Sequence, residues 1–221
     1  MTALARGCFI TLEGIEGAGK STVAHHVSQW LSARGIKARV TREPGGTPLS
    51  ERVRAIVLER GAEQLTPVTE TLLMFAARGI HLDNFIRPAL ARGEWVVCDR
   101  FTDATRAYQA AGRGLSRDFI EALAQAVHPR LAPDCTLLLD LPVETGLARS
   151  KKRAGDAPAD RFEAEPAQFF DRVRAAYLDL AMREPERIRV IDAAQPLAQV
   201  EQQVAVALEA FLESKSRGGG I

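Results

Sequence analysis

Residues 8–12 read CFITL and lead into Gly14-Ile15-Glu16-Gly17-Ala18-Gly19-Lys20-Ser21. An apolar, strand-like run, then two glycines with four residues between them, then Lys-Ser, is the pattern of a phosphate-binding loop. The residue types follow from the task. Glycines let the backbone curl round a phosphate with no Cβ in the way, so several N–H groups converge on one anion. The helical spacing of Val23, Val27, Trp30 and Leu31 predicts a helix next, whose N-terminal dipole adds positive potential. Lys20 can reach β- and γ-phosphates, and the Ser21 hydroxyl can take a Mg²⁺ site. The candidate nucleotide-binding residues are Gly14, Ile15, Glu16, Gly17, Ala18, Gly19, Lys20, Ser21 and Thr22. The loop alone does not choose among an ATPase, a GTPase, a nucleotide kinase and a binding module.

Working outward, residues 37–41, 95–99, 136–141 and 188–191 are further short aliphatic runs. Nearly continuous apolar character suits strands covered on both faces. Helical patterns occupy 68–91, 117–127, 166–182 and 197–212. Alternation of this kind predicts an α/β protein with a parallel sheet and helices on both faces. A single domain over residues 1–213 is expected. The basic, apolar-poor stretch SKKRAGDAPADR at 150–161 is its mobile segment, and SKSRGGGI at 214–221 a flexible tail.

Composition narrows the function. Apolar residues make up 46% and charged residues 26%, ordinary for a globular protein, and the net charge is +1. That leaves no broad basic field for nucleic acid, so phosphate handling must come from local groups. Cys8, Cys98 and Cys135 each sit in an apolar run and are expected as reduced core thiols. His25, His26, His81 and His128 show no paired zinc-ligand spacing. No run approaches membrane-spanning length, and the N-terminus does not read as a secretion signal, so cytoplasm is expected. An Asn-Lys-x-Asp guanine-reading segment is absent, which disfavours a GTPase.

A kinase needs a second anion site opposite the γ-phosphate, at the carboxyl ends of other strands. Arg42-Glu43-Pro44-Gly45-Gly46 and Asp99-Arg100 occupy such positions. Asp99 fits a carboxylate that orients Mg²⁺, and Arg100 offers a planar fork to a phosphate.

Together these segments resemble the bacterial thymidylate kinase family. Leu12-Glu13-Gly14-Ile15-Glu16-Gly17-Ala18-Gly19-Lys20-Ser21-Thr22, Thr41-Arg42-Glu43-Pro44-Gly45-Gly46-Thr47, Asp99-Arg100, Ala107-Tyr108-Gln109 and Asp160-Arg161-Phe162-Glu163 carry the match. The resemblance implies a P-loop NTPase fold with a five-stranded parallel sheet, a lid at about 150–163 and a homodimer. It implies transfer of the γ-phosphoryl group from ATP to dTMP with Mg²⁺, on Ser21 and Asp99. Glu16 would receive the sugar 3′-OH, Arg100 the acceptor phosphate, and Arg42 the same phosphate from a second side, with Pro44 beside it. Arg78 would bond a thymine carbonyl, Thr105 and Gln109 would line the base, and Tyr108 would crowd the sugar 2′ position.

Two departures from the family pattern matter. Gly17 stands where some members carry a loop arginine, so the lid must supply a cation: Arg149, Lys151, Lys152, Arg153 or Arg161, with Arg153 favoured for the transferred group and Arg149 expected at the nucleotide. Met74 stands where a phenylalanine usually stacks on thymine, with Phe75 one residue on; either could cover the ring. The competing readings are a kinase of another nucleotide or deoxynucleoside, and a nucleotide-dependent switch without transfer activity.

Overall fold

The computed structural model describes residues 6–61, 63–155 and 160–217. Five parallel strands form one sheet: β1 (Phe9–Glu13), β2 (Ala38–Arg42), β3 (Trp95–Asp99), β4 (Cys135–Asp140) and β5 (Ile188–Asp192), in the order β2-β3-β1-β4-β5. Register sets Leu12 beside both Asp99 and Leu137, so β1 and β3 end level and deliver their following loops to one edge.

The strands β1, β3 and β4 are buried almost throughout, as continuous apolar runs require. The edge strands differ. In β2, Arg39, Val40 and Arg42 are exposed, and in β5 Val190 is exposed, so neither is covered on both faces as expected. An edge strand is guarded against further pairing by charge, which Arg39 and Arg42 provide.

Helices α1 (Lys20–Ser32) and α9 (Leu197–Arg217) lie against each other over one side of the sheet. Ile10, Leu12, Val23, Val27, Trp30 and Leu208 share a core with them. Phe9, Val96 and Cys98 point to the other side, where they meet Leu82 and Ile86. Helix α2 (Pro48–Leu58) was not anticipated, although Thr47-Pro48 is a start signal: Thr47 Oγ1 accepts from Ser50 N at 3.4 Å. The long helix expected over 68–91 is broken into α3 (Pro67–His81), a π-helical stretch Leu82–Ile86 and α4 (Arg87–Ala91).

Four further α-helices, α5 (Thr102–Thr105), α6 (Arg117–Val127), α7 (Val143–Ala154) and α8 (Ala167–Arg183), and a second π-helical stretch, Arg106–Gly112, complete the described chain. Two expectations need correction. Residues 150–154, placed in a mobile lid, are the last turn of α7. Residues 214–217, placed in a flexible tail, are the last turn of α9, with Lys215 Nζ 2.9 Å from Asp134. Helix formers and a distant carboxylate outweigh the small, polar look of both segments. Residues 156–159 of the lid and 218–221 of the tail lie outside the described residues.

Candidate active site

The loop after β1 meets α1 at Gly19, whose φ is 90° and which has no side chain to cap the helix. The first-turn amides of α1 are therefore left to an anion. Gly17 is obligatory for a different reason. Its φ is +73°, and a Cβ there would lie 1.9 Å from Gly146 O in α7. The phosphate loop thus packs backbone to backbone on α7, and an arginine at this position has no room.

Lys20 is buried, and its Nζ donates to Gly14 O at 3.1 Å and Ile15 O at 2.9 Å. Burial, with Arg100 nearby, lowers its pKa. Arg100 follows β3 in a left-handed conformation, φ 72°, rare for a residue with a Cβ. Its Nη1 donates to the same Gly14 O at 3.1 Å, and its Nη2 to Glu16 Oε2 at 2.8 Å. Glu16 lies 4.0 Å from Lys20 as well. Burial pushes the Glu16 carboxyl up, but Arg100 and Lys20 outweigh it and hold the pKa below the ordinary value. The two cations therefore face one space, bridged by one carboxylate.

That space is a cavity of about 290 Å³. Glu16, Gly17, Gly19, Lys20 and Ser21 line its loop side. Arg42, Pro44, Asp99 and Arg100 line the strand ends, and Met74, Arg78, Thr105, Tyr108 and Gln109 the far wall. Arg153 enters from α7, with Nη2 3.2 Å from Ser150 Oγ and 3.6 Å from Glu163. Ser150 in turn donates to Glu163 at 2.8 Å, which ties the end of α7 to the segment before α8.

Arg78 is the best-held group of the far wall. Its Nε donates to Glu43 Oε2 at 2.6 Å, and its Nη2 to Thr105 Oγ1 at 3.1 Å and Phe101 O at 3.2 Å. Its Nη1 is buried with no hydrogen-bond partner among the described residues. Glu43 is steadied behind it by His81 Nδ1 at 3.2 Å, and His81 Nε2 sits 2.7 Å from Thr41 Oγ1. Glu43, His81 and Cys98 lie within 4.8 Å of one another, a set that could ligate a metal, but Arg78 and Thr41 already engage the carboxylate and the imidazole. Tyr108 OH receives Arg100 Nη2 at 2.9 Å and donates to Glu16 at 3.3 Å.

Some expected residues lie elsewhere. Phe75 turns into a core with Ile120 and Ala124, beneath the Arg78 guanidinium, so Met74 alone of the pair lines the cavity. The side chains of Ile15 and Ala18 are buried, and Thr22 is exposed on α1 beyond the cavity. Arg149 bonds Ala193 O at 2.7 Å, near the end of β5. Arg161 pairs with Glu70 at 2.6 Å and so sits behind the wall, not in the cavity. Arg42 stays at the cavity, half exposed and paired with Glu51 at 2.9 Å.

Sequence reasoning missed Arg54, which lines the cavity from α2 and donates to Pro44 O at 2.9 Å. It also missed Glu13 and Tyr177 behind Arg100: Tyr177 OH donates to Glu13 at 2.7 Å and receives Arg100 Nη1 at 3.3 Å. Burial and the neighbouring Asp103 carboxylate push the Glu13 pKa up. Arg54 was findable only by recognising α2; Glu13 and Tyr177 are 164 residues apart, and no local pattern joins them.

Asp99 Oδ1 is buried without a hydrogen-bond partner among the described residues, and Ser21 Oγ lies 3.5 Å from Oδ2. A hydroxyl and an orphaned carboxylate oxygen are hard donors that fit Mg²⁺.

The profile of the thymidylate kinase family matches residues 12–204. The chain is 57% identical over 211 residues to a thymidylate kinase of Alkalilimnicola ehrlichii, covering 96% of this chain and 94% of the relative. It is 55% identical to that of Pseudomonas fluorescens, covering 96% and 99%. The crystal structure of the thymidylate kinase from Ehrlichia chaffeensis superposes with a TM-score of 0.74 at 32% identity, covering 92% of this chain and 99% of that one.

Proposed function

This chain belongs to the thymidylate kinase family, and from that premise we propose the parts its residues play as it transfers the γ-phosphoryl group of ATP to dTMP, giving dTDP and ADP. The loop 14–21 cradles the ATP phosphates, with Lys20 on the β/γ side. Arg100 holds the dTMP phosphate, and Arg42 and Arg54 add charge beside it. Glu16, between the two cations, takes the sugar hydroxyl and keeps Lys20 and Arg100 from repelling one another. Tyr108 closes the sugar pocket. Arg78 donates its open Nη1 to the thymine carbonyl, with Thr105 and Gln109 alongside and Met74 over the ring.

Ser21 and Asp99 would hold Mg²⁺. When bound, it neutralises charge on the phosphate oxygens as the phosphoryl group moves. Arg153 swings onto the transferred group as a second source of positive charge. With reacting groups fixed and water shut out, positioning and electrostatics carry most of the rate.

The observation that carries this reading is the shared cavity of Lys20 and Arg100, both bonded to Gly14 O. ADP formation should be measured with dTMP, dUMP, dCMP and thymidine, with Mg²⁺ at neutral pH. Turnover should be greatest with dTMP. A preference for thymidine, which has no phosphate for Arg100, would reassign the chain to deoxynucleoside phosphorylation.

We also place it in the cytoplasm as a homodimer. No helix among the described residues is long and apolar enough to cross a membrane, and the three cysteines are free and buried, at home in a reducing compartment. The neighbouring helices α2 and α3 expose Leu49, Ile56, Val68 and Leu72, an aliphatic face that a second copy would cover.

A further inference from the structure

The amide of Gln109 has one tightly held partner. Its Nε2 donates to Glu70 Oε1 at 2.7 Å, and Glu70 is fully buried in the first turn of α3. The other oxygen of Glu70 faces two guanidinium groups, Arg161 Nη2 at 2.6 Å and Arg113 Nη2 at 3.3 Å. A carboxylate so placed accepts and does not donate. An amide, by contrast, has a donor end and an acceptor end that half a turn exchanges. Glu70 settles that choice: it takes the NH₂ end of Gln109, a residue of the cavity lining, and leaves Oε1 as the end free to accept.

The neighbouring reader is a donor. Arg78 Nη1 is buried, unpartnered among the described residues, and belongs to the same wall. A donor beside an acceptor matches a 4-oxopyrimidine, whose O4 accepts and whose N3–H donates. Cytosine presents the reverse, an amino donor at C4 and an accepting N3. A flipped Gln109 would offer NH₂ to that N3.

We propose that Glu70 is a specificity-determining positioning residue, which fixes the Gln109 amide so that the cavity selects 4-oxo over 4-amino pyrimidine nucleotides. The inference rests on Gln109 lining the base, as proposed above. The same carboxylate holds Arg161, which donates to Val57 O at 3.0 Å, so the group that orients Gln109 also ties residue 161 to the end of α2.

The test is kcat/KM for dTMP and dCMP in Glu70→Gln. A glutamine can donate or accept, so it no longer dictates the Gln109 orientation. The dTMP-to-dCMP ratio should fall about tenfold, the worth of one good hydrogen bond. A merely structural role would lower both values and leave the ratio unchanged, and that result overturns the proposal. Should the single variant fail to fold, Glu70→Gln/Arg161→Gln removes a cation with the anion and carries the same expected fall. Gln109→Leu separates the two levels. An unchanged KM for dTMP would show that Gln109 does not meet the base, defeating both readings. A raised KM with an unmoved ratio in Glu70→Gln defeats only the role of Glu70.

Discussion

Lys20 and Arg100 are both cations at one cavity, yet their loss should look different. Lys20 faces charge that grows as the phosphoryl group moves, so Lys20→Ala should lower kcat by about 100- to 1,000-fold. Arg100 meets a phosphate already present in the ground state, so Arg100→Ala should weaken dTMP binding by about 10- to 100-fold. Calorimetry with dTMP separates the two; unchanged dTMP affinity in Arg100→Ala would remove it from the acceptor site. Gly17 makes a sharper steric prediction. A methyl group at φ +73° and 1.9 Å from a backbone carbonyl must push α7 off the loop. Gly17→Ala should lower stability by about 1–3 kcal/mol, and it should cut kcat even at temperatures where it is folded. A fully stable Gly17→Ala would mean that the loop and α7 are not packed as described. The lysine and the glycines are legible from spacing alone. The contact that makes Gly17 irreplaceable is not, because its partner Gly146 is remote in sequence.

At the scale of elements, the strands were legible and the helices less so. Buried parallel strands announce themselves as unbroken apolar runs. Helix α2 carries Pro48, two arginines, a glutamate and an exposed outer face, so its periodicity is weak, and only its Thr-Pro start marks it. The same outer face carries Leu49 and Ile56, next to Val68 and Leu72 of α3. Leu72→Asp places a charge there without touching the cavity. Sedimentation should find the wild type dimeric and Leu72→Asp monomeric; a monomeric wild type would end the dimer reading. The far end of α9 was misjudged because Ser-Lys-Ser-Arg reads as solvent-loving tail, whereas Lys215 finds Asp134 near the start of β4. The partition of Met74 and Phe75 is likewise an element-level outcome. One residue of helical rotation, about 100°, sends the first to the cavity and the second to the core under Arg78.

For the whole molecule, the buried carboxylates predict how stability follows pH. Burial raises the pKa of Glu16, Glu43 and Asp103, but their arginine neighbours prevail and hold all three below the ordinary range. A depressed carboxyl contributes stability above its unfolded pKa and loses it as pH falls through the folded value. The melting temperature should therefore hold from pH 7 to about 5 and drop below about pH 4, with a smaller drop in Glu43→Gln. A profile flat down to pH 3 would contradict these pairings. Glu13 acts in the opposite sense, since burial beside Asp103 raises it; Glu13→Gln should relieve a cost that grows as the pH rises. What the sequence determined by itself was whatever depends on neighbours along the chain: the phosphate loop, the parallel strands, and the arginines at strand ends. Periodicity and glycine spacing are local physics, readable in order. Only the tertiary structure decided which cation meets which anion. Glu70 gathers Gln109, Arg113 and Arg161, and Tyr177 reaches Glu13, across 39 to 164 residues of chain. A charge seeks its partner through space, and sequence distance sets no limit on that search.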